Sequence, residues 1–187
     1  GYGISNQYLQ ARPLSARFVN LFAEKDRDIR YRLFFNYRRR STKAYISSLR
    51  SAELALISME SACHLGDNDE ALRMLNQLRA CRISDCVPYT MATLPAVDKT
   101  ALVKTDCMAK PLTPLMQAIL NERRKELYLE GDRFFELKRN GRPEFWVMKK
   151  GLKYTNFKFM YTLPIPPNDI VLTPGLKQNP GYTEMIY

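Results

Sequence analysis

The stretch from Ala44 to Arg82 restricts the possible folds most, because its apolar residues recur at the 3.6-residue spacing of an amphipathic helix. Gly66 favours a left-handed helix end in the middle of this stretch. Asp67, with Glu70 three residues later, is typical of the capping box that begins a helix. The pattern therefore predicts two consecutive helices with a tight turn between them. The apolar stripe of the first helix consists of Tyr45, Leu49, Ala52, Leu56, Ile57 and Cys63.

The second helix is predicted to end near Arg82, and its apolar face consists of Ala71, Leu75 and Leu78. Two helices joined by a turn over roughly 40 residues are typical of a tetratricopeptide-type hairpin. A single hairpin cannot bury both of its faces, and the sequence holds no second copy. We therefore expect the hairpin to pack against neighbouring helices.

A third helix is predicted after residues 83–111, a segment without sustained periodicity that we interpret as a surface excursion. Thr113 can cap this helix, with Pro114 at its first position. Gly131 is expected to divide the pattern into a helix over 113–130 and a shorter helix over 132–139.

The C-terminal tail is predicted to be non-helical. Alternating aromatic residues over 157–161 indicate a short strand, and prolines over 163–167 favour an extended backbone. The predicted fold class is therefore mainly α, with a tetratricopeptide-like hairpin, additional packed helices and an extended, Pro-rich C-terminal tail.

Charged residues on the predicted helices indicate ion pairs between them. Glu53 and Glu60 lie on or beside the first apolar stripe, where an unpaired carboxylate would be costly. Arginines on other helices can meet them in charge-assisted hydrogen bonds. We predict that such pairs lock the hairpin onto the third helix. The residues assigned to these structural ion pairs are Glu53, Glu60, Arg79, Arg123, Glu126, Glu130 and Arg133.

Composition disfavours several classes of protein. The chain has 187 residues and a net charge of +10, with a basic run at 38–40, but no nucleic-acid-binding module accompanies that run. No apolar run approaches the roughly 18 residues of a membrane helix. The start of the sequence shows no export signal. These features therefore predict neither a nucleic-acid partner nor a membrane-spanning helix.

Enzymatic and metal sites are not predicted either. The four cysteines match no zinc spacing, and His64 is the one histidine. Cys81 and Cys86 could pair across a turn, so the redox state of the cysteines stays open. No Gly-rich phosphate loop or nucleophile elbow occurs, and no nucleophile accompanies the paired carboxylates. We predict a non-enzymatic chain without a metal or cofactor.

Three segments in this order resemble signatures of the SusD/RagB family, the surface nutrient-binding lipoproteins of Bacteroidetes. They lie within residues 49–79, residues 119–139 and residues 163–182. The most specific is Asn121-Glu122-Arg123-Arg124-Lys125-Glu126-Leu127, followed by Glu130-Gly131-Asp132-Arg133-Phe134-Phe135-Glu136-Leu137-Lys138-Arg139. The last is Leu163-Pro164-Ile165-Pro166, followed by Gln178-Asn179-Pro180-Gly181-Tyr182.

The resemblance implies that residues 1–187 are the C-terminal SusD/RagB-like domain of a longer protein, with a variable excursion at 83–111. The N-terminal tetratricopeptide part would lie outside this sequence. It implies non-catalytic capture of glycan nutrients at the extracellular face of the outer membrane, where an N-terminal lipid anchor holds the precursor. It also implies delivery to a SusC-like TonB-dependent transporter. The alternatives are a tetratricopeptide-type adaptor that binds proteins or, within the family, a peptide or glycoprotein binder.

Aromatic residues outside these signatures are the candidate glycan contacts, because sugar rings present apolar faces that stack on aromatic side chains. For each of them, packing in the core is the interpretation that we favour over ligand contact. The candidates are Tyr31, Tyr37, Tyr89, Trp146 and Tyr154.

Overall fold

The computed structural model describes residues 15–35, 50–149 and 151–182, and these residues are mainly helical. This confirms the predicted fold class. The α-helices of the described ranges are α1 (Ala16–Val19), α2 (Ile29–Phe34), α3 (Ser51–His64), α4 (Asn68–Ala80), α5 (Pro114–Glu126), α6 (Asp132–Arg139) and α7 (Pro167–Leu172). The strands are β1 (Phe145–Lys149) and β2 (Leu152–Asn156).

The chain divides into two compact units. Within the described residues, the first contains residues 15–35, 50–98 and 112–133, and the second contains residues 99–111, 134–149 and 151–182. The excursion at 83–111 is therefore shared between the units rather than belonging to one of them.

Helices α3 and α4 form the hairpin that the sequence predicted. The Asp67 carboxylate accepts a hydrogen bond from the Glu70 backbone N–H at 3.2 Å, and Gly66 takes a φ of +85° at the turn. The first helix begins at Ser51, because Arg50 is extended, whereas the predicted pattern began at Ala44. Residues 44–49 lie outside the described residues.

The core of the first unit lies between this hairpin and α5. Its buried members are Leu56, Met59, Ala71, Leu75, Leu78, Leu115, Ala118, Ile119 and Leu127. Ile57, which the sequence placed on the apolar stripe, is 45% exposed instead, whereas Met59, which was not placed there, is buried in the core. The third helix thus covers the face that the hairpin cannot bury alone.

Helix α5 begins as predicted, since the Thr113 hydroxyl accepts a hydrogen bond from the Met116 N–H at 3.2 Å. Its predicted end at Glu130 is wrong, because the helix stops at Glu126. Leu129 takes a φ of +61°, which a right-handed helix cannot contain.

A second apolar cluster in the first unit is aromatic. Phe18, Phe22 and Phe35 are buried and meet edge to face at centroid distances of 5.3–5.9 Å. Tyr128, just after α5, stacks on Phe18 at 4.8 Å. These contacts attach the segment over 15–35 to the end of α5.

The second unit contains an antiparallel β-hairpin that was not predicted from the sequence. In its register Trp146 pairs with Thr155, and Val147 pairs with Tyr154. The strand predicted over 157–161 is wrong, because Lys158–Tyr161 form a 3₁₀-helix. This turn buries the Tyr161 ring and lets its hydroxyl donate to the Pro143 carbonyl at 2.8 Å, a tertiary contact that outweighs the alternating pattern.

The tail is held by side-chain amides. Gln178 accepts a hydrogen bond from the Ile165 N–H and donates one to the Ile165 carbonyl, each at 2.8 Å. Its side-chain amide thus makes the two hydrogen bonds that a neighbouring strand would make. Asn179 donates to the Leu163 carbonyl at 2.7 Å. The tail is not extended throughout, because Pro167 can occupy the first position of a helix and α7 begins there.

Gly181 offers a test of this packing. Its φ is +91°, and a Cβ there would clash with the ring of Phe159. Gly175 has a similar φ of +84° but open space around it. We expect Gly181→Ala to lower the free energy of unfolding by about 1–3 kcal/mol more than Gly175→Ala does, as overpacking does. Chemical denaturation of the two variants measures the difference, and equal losses would contradict the described contact.

Candidate functional site

Two carboxylates of α5, Glu122 and Glu126, lie at the centre of a buried ion-pair network. They are one helical turn apart, and both side chains are almost completely buried. Buried carboxylates are stable only where cations and hydrogen-bond donors surround them. The neighbouring segments supply those donors.

Arg30 of α2 joins the two carboxylates. Its Nη2 lies 2.9 Å from Glu122 Oε2, and its Nη1 lies 3.1 Å from Glu126 Oε2. The same guanidinium donates through Nε and Nη2 to both oxygens of Asp28, at 3.0 and 2.7 Å. Burial alone would lower the pKa of Arg30, but the hydrogen bond to Asp28 and the surrounding carboxylates raise it above its ordinary value.

Glu126 also binds arginines from two other segments. Nη2 of Arg82 lies 2.9 Å from its Oε1, and Nη1 of Arg50 lies 3.0 Å from the same atom. Arg50 reaches Glu130 as well, with Nε 2.9 Å from Oε2. Burial would raise the pKa of Glu126, but the hydrogen bond from Arg82 and the charges of Arg30, Arg82 and Arg50 lower it to about 2.

Arg123 forms a second group of ion pairs, on another face of α5. Its guanidinium binds Asp132 at 2.5 Å and lies 3.5 Å from a carboxylate oxygen of Glu60 and 3.9 Å from one of Glu53. Glu60 is buried, whereas Glu53 remains partly exposed. Arg123 thus lies beside both hairpin carboxylates. Arg133 occupies the first turn of α6, next to Asp132.

Arg79 has partners other than Glu53 and Glu60. Nη2 lies 2.8 Å from Glu24, Nη1 donates to the Val87 carbonyl at 3.1 Å, and Nε lies 3.9 Å from Glu122. Its guanidinium also lies over the Tyr89 ring, 3.5 Å from the ring centre. Arg79 therefore ties α4 to the segment before α2 and to the excursion after α4.

A cleft of about 460 Å³ opens beside Arg79. Its polar lining residues include Glu24, Arg27, Arg79, Tyr89, Thr90 and Thr93. Most of these groups already bind one another: Arg79 holds Glu24, and the Thr90 and Thr93 hydroxyls lie 3.1 Å apart. Asn76 fixes Tyr89 with two hydrogen bonds to its backbone, each 2.8 Å long.

The other candidate aromatics fall into three situations. Tyr31 packs in the aromatic cluster, 5.2 Å from Phe35, which agrees with the core interpretation. Tyr37 lies outside the described residues. Trp146 and Tyr154 are 58% and 50% exposed on the β-hairpin.

The register places Trp146 and Tyr154 on opposite faces of that hairpin. Thr155 is directly opposite Trp146, so it shares the Trp146 face, whereas Tyr154 shares a face with Val147. Lys153 lies on the Trp146 face, with Nζ 5.5 Å from the centre of the ring system. The two aromatics therefore cannot contact one sugar ring together.

Sequence reasoning missed this hairpin and Lys153. The available signal was a run of apolar residues over 145–148 that includes Phe, Trp and Val, followed by Gly151 and a second short run. The face on which each side chain lies depends on the register, which the sequence did not indicate.

No metal site or disulfide is evident in the part of the chain that the structure describes. No group of three His, Cys, Asp or Glu side chains there could hold a metal ion. Cys81 and Cys86, whose pairing the sequence left open, are not joined by a disulfide. None of the described helices is long and apolar enough to cross a membrane.

Comparison with known proteins identifies the family. The model of the SusD family matches residues 34–182, which is most of the chain. The chain belongs to the SusD family. This confirms the resemblance seen in the sequence. No curated protein matches the chain in sequence.

A crystal structure of a SusD-like protein from Bacteroides fragilis is similar to this chain, with 24% identity and a TM-score of 0.44. The match covers 72% of this chain and 25% of that protein, so the chain spans about a quarter of its length. Within the SusD family match lie Arg50, Arg82, Glu122 and Glu126 of the network, whereas Arg30 lies just before it.

The network of this SusD-family chain predicts an acid-dependent stability. Because the pKa of Glu126 is about 2 in the folded state, below its ordinary value of 4.5, its stabilising effect is complete above about pH 4.5. It is lost as the pH falls towards 2, and it amounts to about 3 kcal/mol. We expect Glu126→Gln to be less stable than the unaltered chain at pH 7 and the difference to shrink towards pH 2.5.

Chemical denaturation at several pH values measures this difference. Glu70→Gln is the matched control, because Glu70 pairs with Arg73 on an exposed helix face, where solvent screens the charges. We expect this variant to stay close to the unaltered chain at every pH. A Glu126→Gln deficit that is the same at pH 7 and pH 3 would show that Glu126 is not held ionised.

Proposed function

We propose that this chain is part of a non-catalytic protein that binds glycan or oligosaccharide nutrients at the cell surface and delivers them to a TonB-dependent outer-membrane transporter of the SusC type. Membership of the SusD family, matched over residues 34–182, carries this proposal. It also supports a location at the extracellular face of the outer membrane, with attachment through a lipid anchor.

The exposed face of the β-hairpin is the part of the chain that we assign to glycan contact. The Trp146 ring is mostly open to solvent, although indole is among the most apolar side chains. A ring of this size can cover the apolar face of a sugar, while nearby polar groups pair with hydroxyls. Thr155 is directly opposite on the same face and provides such a hydroxyl.

The other candidate aromatics fit glycan contact less well. The Arg79 guanidinium covers one face of Tyr89, and the Tyr31 ring packs against Phe22 and Phe35. Tyr154 is exposed but lies on the opposite face of the hairpin from Trp146. A sugar on Trp146 would therefore leave Tyr154 uncovered.

The ion-pair network disfavours an enzymatic function, and the apolar core of the first unit disfavours an adaptor function. A carboxyl group with a pKa of about 2, such as Glu126, stays ionised at neutral pH and cannot act as a general acid there. An adaptor would need to present the inner face of the α3–α4 hairpin to a partner, but Leu115 and Ile119 of α5 fill that face. We infer that Glu126, Leu115 and Ile119 have a structural role and do not contact a ligand or partner.

The proposed contact can be tested by tryptophan fluorescence, because Trp146 is the one tryptophan of the sequence. We expect oligosaccharides that bind to change its emission with saturation, and Trp146→Ala to weaken binding in calorimetry by about tenfold or more. Leu152→Ala, an exposed apolar residue on the opposite face, is the control. Saccharide binding that Trp146→Ala leaves unchanged would contradict the assigned site, and failure to bind any saccharide would contradict the proposed function.

A further inference from the structure

The ammonium group of Lys153 lies close to the Trp146 ring, and stacking of a sugar on that ring would not require it. Its Nζ lies 5.5 Å from the centre of the Trp146 ring. Lys153 pairs with Met148 in the strand register, so it is one diagonal step from Trp146 on the same face. The exposed ring therefore has a positive charge over one of its faces.

No negative charge in the described residues cancels this cation. No carboxylate there lies within ion-pair distance of Lys153. The sequence has four lysines and no acidic residue from Phe145 to Asn168. Glu144 precedes this segment, and its carboxylate accepts a hydrogen bond from the Lys158 backbone N–H at 3.0 Å. The hairpin is therefore a locally basic surface.

We propose that the Trp146 face binds acidic oligosaccharides, whose sugars carry carboxylate or sulfate groups, and that Lys153 selects them. A sugar ring stacks on the indole while its anionic group pairs with the Lys153 ammonium. This assignment rests on the proposed glycan-binding function and narrows its substrate class. A neutral sugar uses the indole but gains nothing from the cation.

The size of the selectivity follows from the exposure of the site. An ammonium group is a compact, strongly hydrated point charge, and salt screens an ion pair that it forms at the surface. An exposed pair therefore contributes about a two- to fivefold change in affinity. Selection of acidic sugars is accordingly modest for each anionic group and weakens as the salt concentration rises.

Trisaccharides that differ at C6, where a carboxylate replaces a hydroxymethyl group, test the inference. We expect trigalacturonate to bind about two- to fivefold tighter than galactotriose in 20 mM salt, and the difference to shrink in 500 mM salt. Both titrations follow Trp146 fluorescence, with calorimetry as the independent measurement. Calorimetry is needed because Lys153 lies close enough to the indole for its removal to change the emission.

Two variants with the same change of charge separate the local effect from the net charge. Lys153→Gln is expected to remove the preference for trigalacturonate, whose affinity falls about two- to fivefold. Lys177→Gln, at an exposed lysine in the tail outside the hairpin, is expected to keep the preference.

The possible failures can be distinguished. Equal affinity for the two saccharides, or a preference that Lys153→Gln leaves intact, would overturn the inference while glycan binding stands. No binding of either saccharide, in a chain that circular dichroism shows to be folded, would overturn both the inference and the assigned glycan site. A single-stranded oligonucleotide that displaces trigalacturonate at lower concentration would assign the basic aromatic face to nucleic acid instead.

Discussion

The first unit depends on neutralising the carboxylates that α5 carries into its interior. Glu122 and Glu126 are nearly inaccessible to water, and an isolated carboxylate in such a place would make the folded state unstable. Arg30, Arg50 and Arg82 come from three separate segments and meet on Glu126. Those segments must therefore be in place together for the charge to be compensated. Burial of apolar surface favours packing of these segments but does not set their orientation, because the hydrophobic effect is non-directional. The hydrogen bonds of the forked guanidinium groups set it.

In the second unit, the residues that hold the backbone differ from the residues proposed to contact a ligand. Tyr161 donates a hydrogen bond to the Pro143 carbonyl just before β1, Gln178 holds Ile165 in the tail, and neither bond uses a group of the Trp146 face. That face presents an exposed indole with an ammonium group 5.5 Å from the ring centre. The functional proposals rest on the exposure of the Trp146 face to solvent.

The local parts of the fold were predictable from sequence, and the long-range contacts were not. The α3–α4 turn follows from Asp67, a signal contained within four residues. Periodicity identified Glu126 as a charged helix position, but its contact with Arg30 spans 96 residues of sequence. Trp146 and Tyr154 were predicted, without their strands, as aromatics that either contact a ligand or pack in the core, so their positions on opposite faces could not be foreseen. Contacts of this kind depend on the register and on tertiary packing.

A double-mutant cycle on Arg30 and Glu126 tests the central claim most directly, because it isolates their interaction from the packing of each side chain. The account predicts that Arg30→Met and Glu126→Gln each lower the free energy of unfolding by about 3 kcal/mol or more, since each leaves a buried charge without one of its partners. It also predicts that the double variant is more stable than the sum of the two losses implies. Losses that simply add would contradict a network in which these charges stabilise each other.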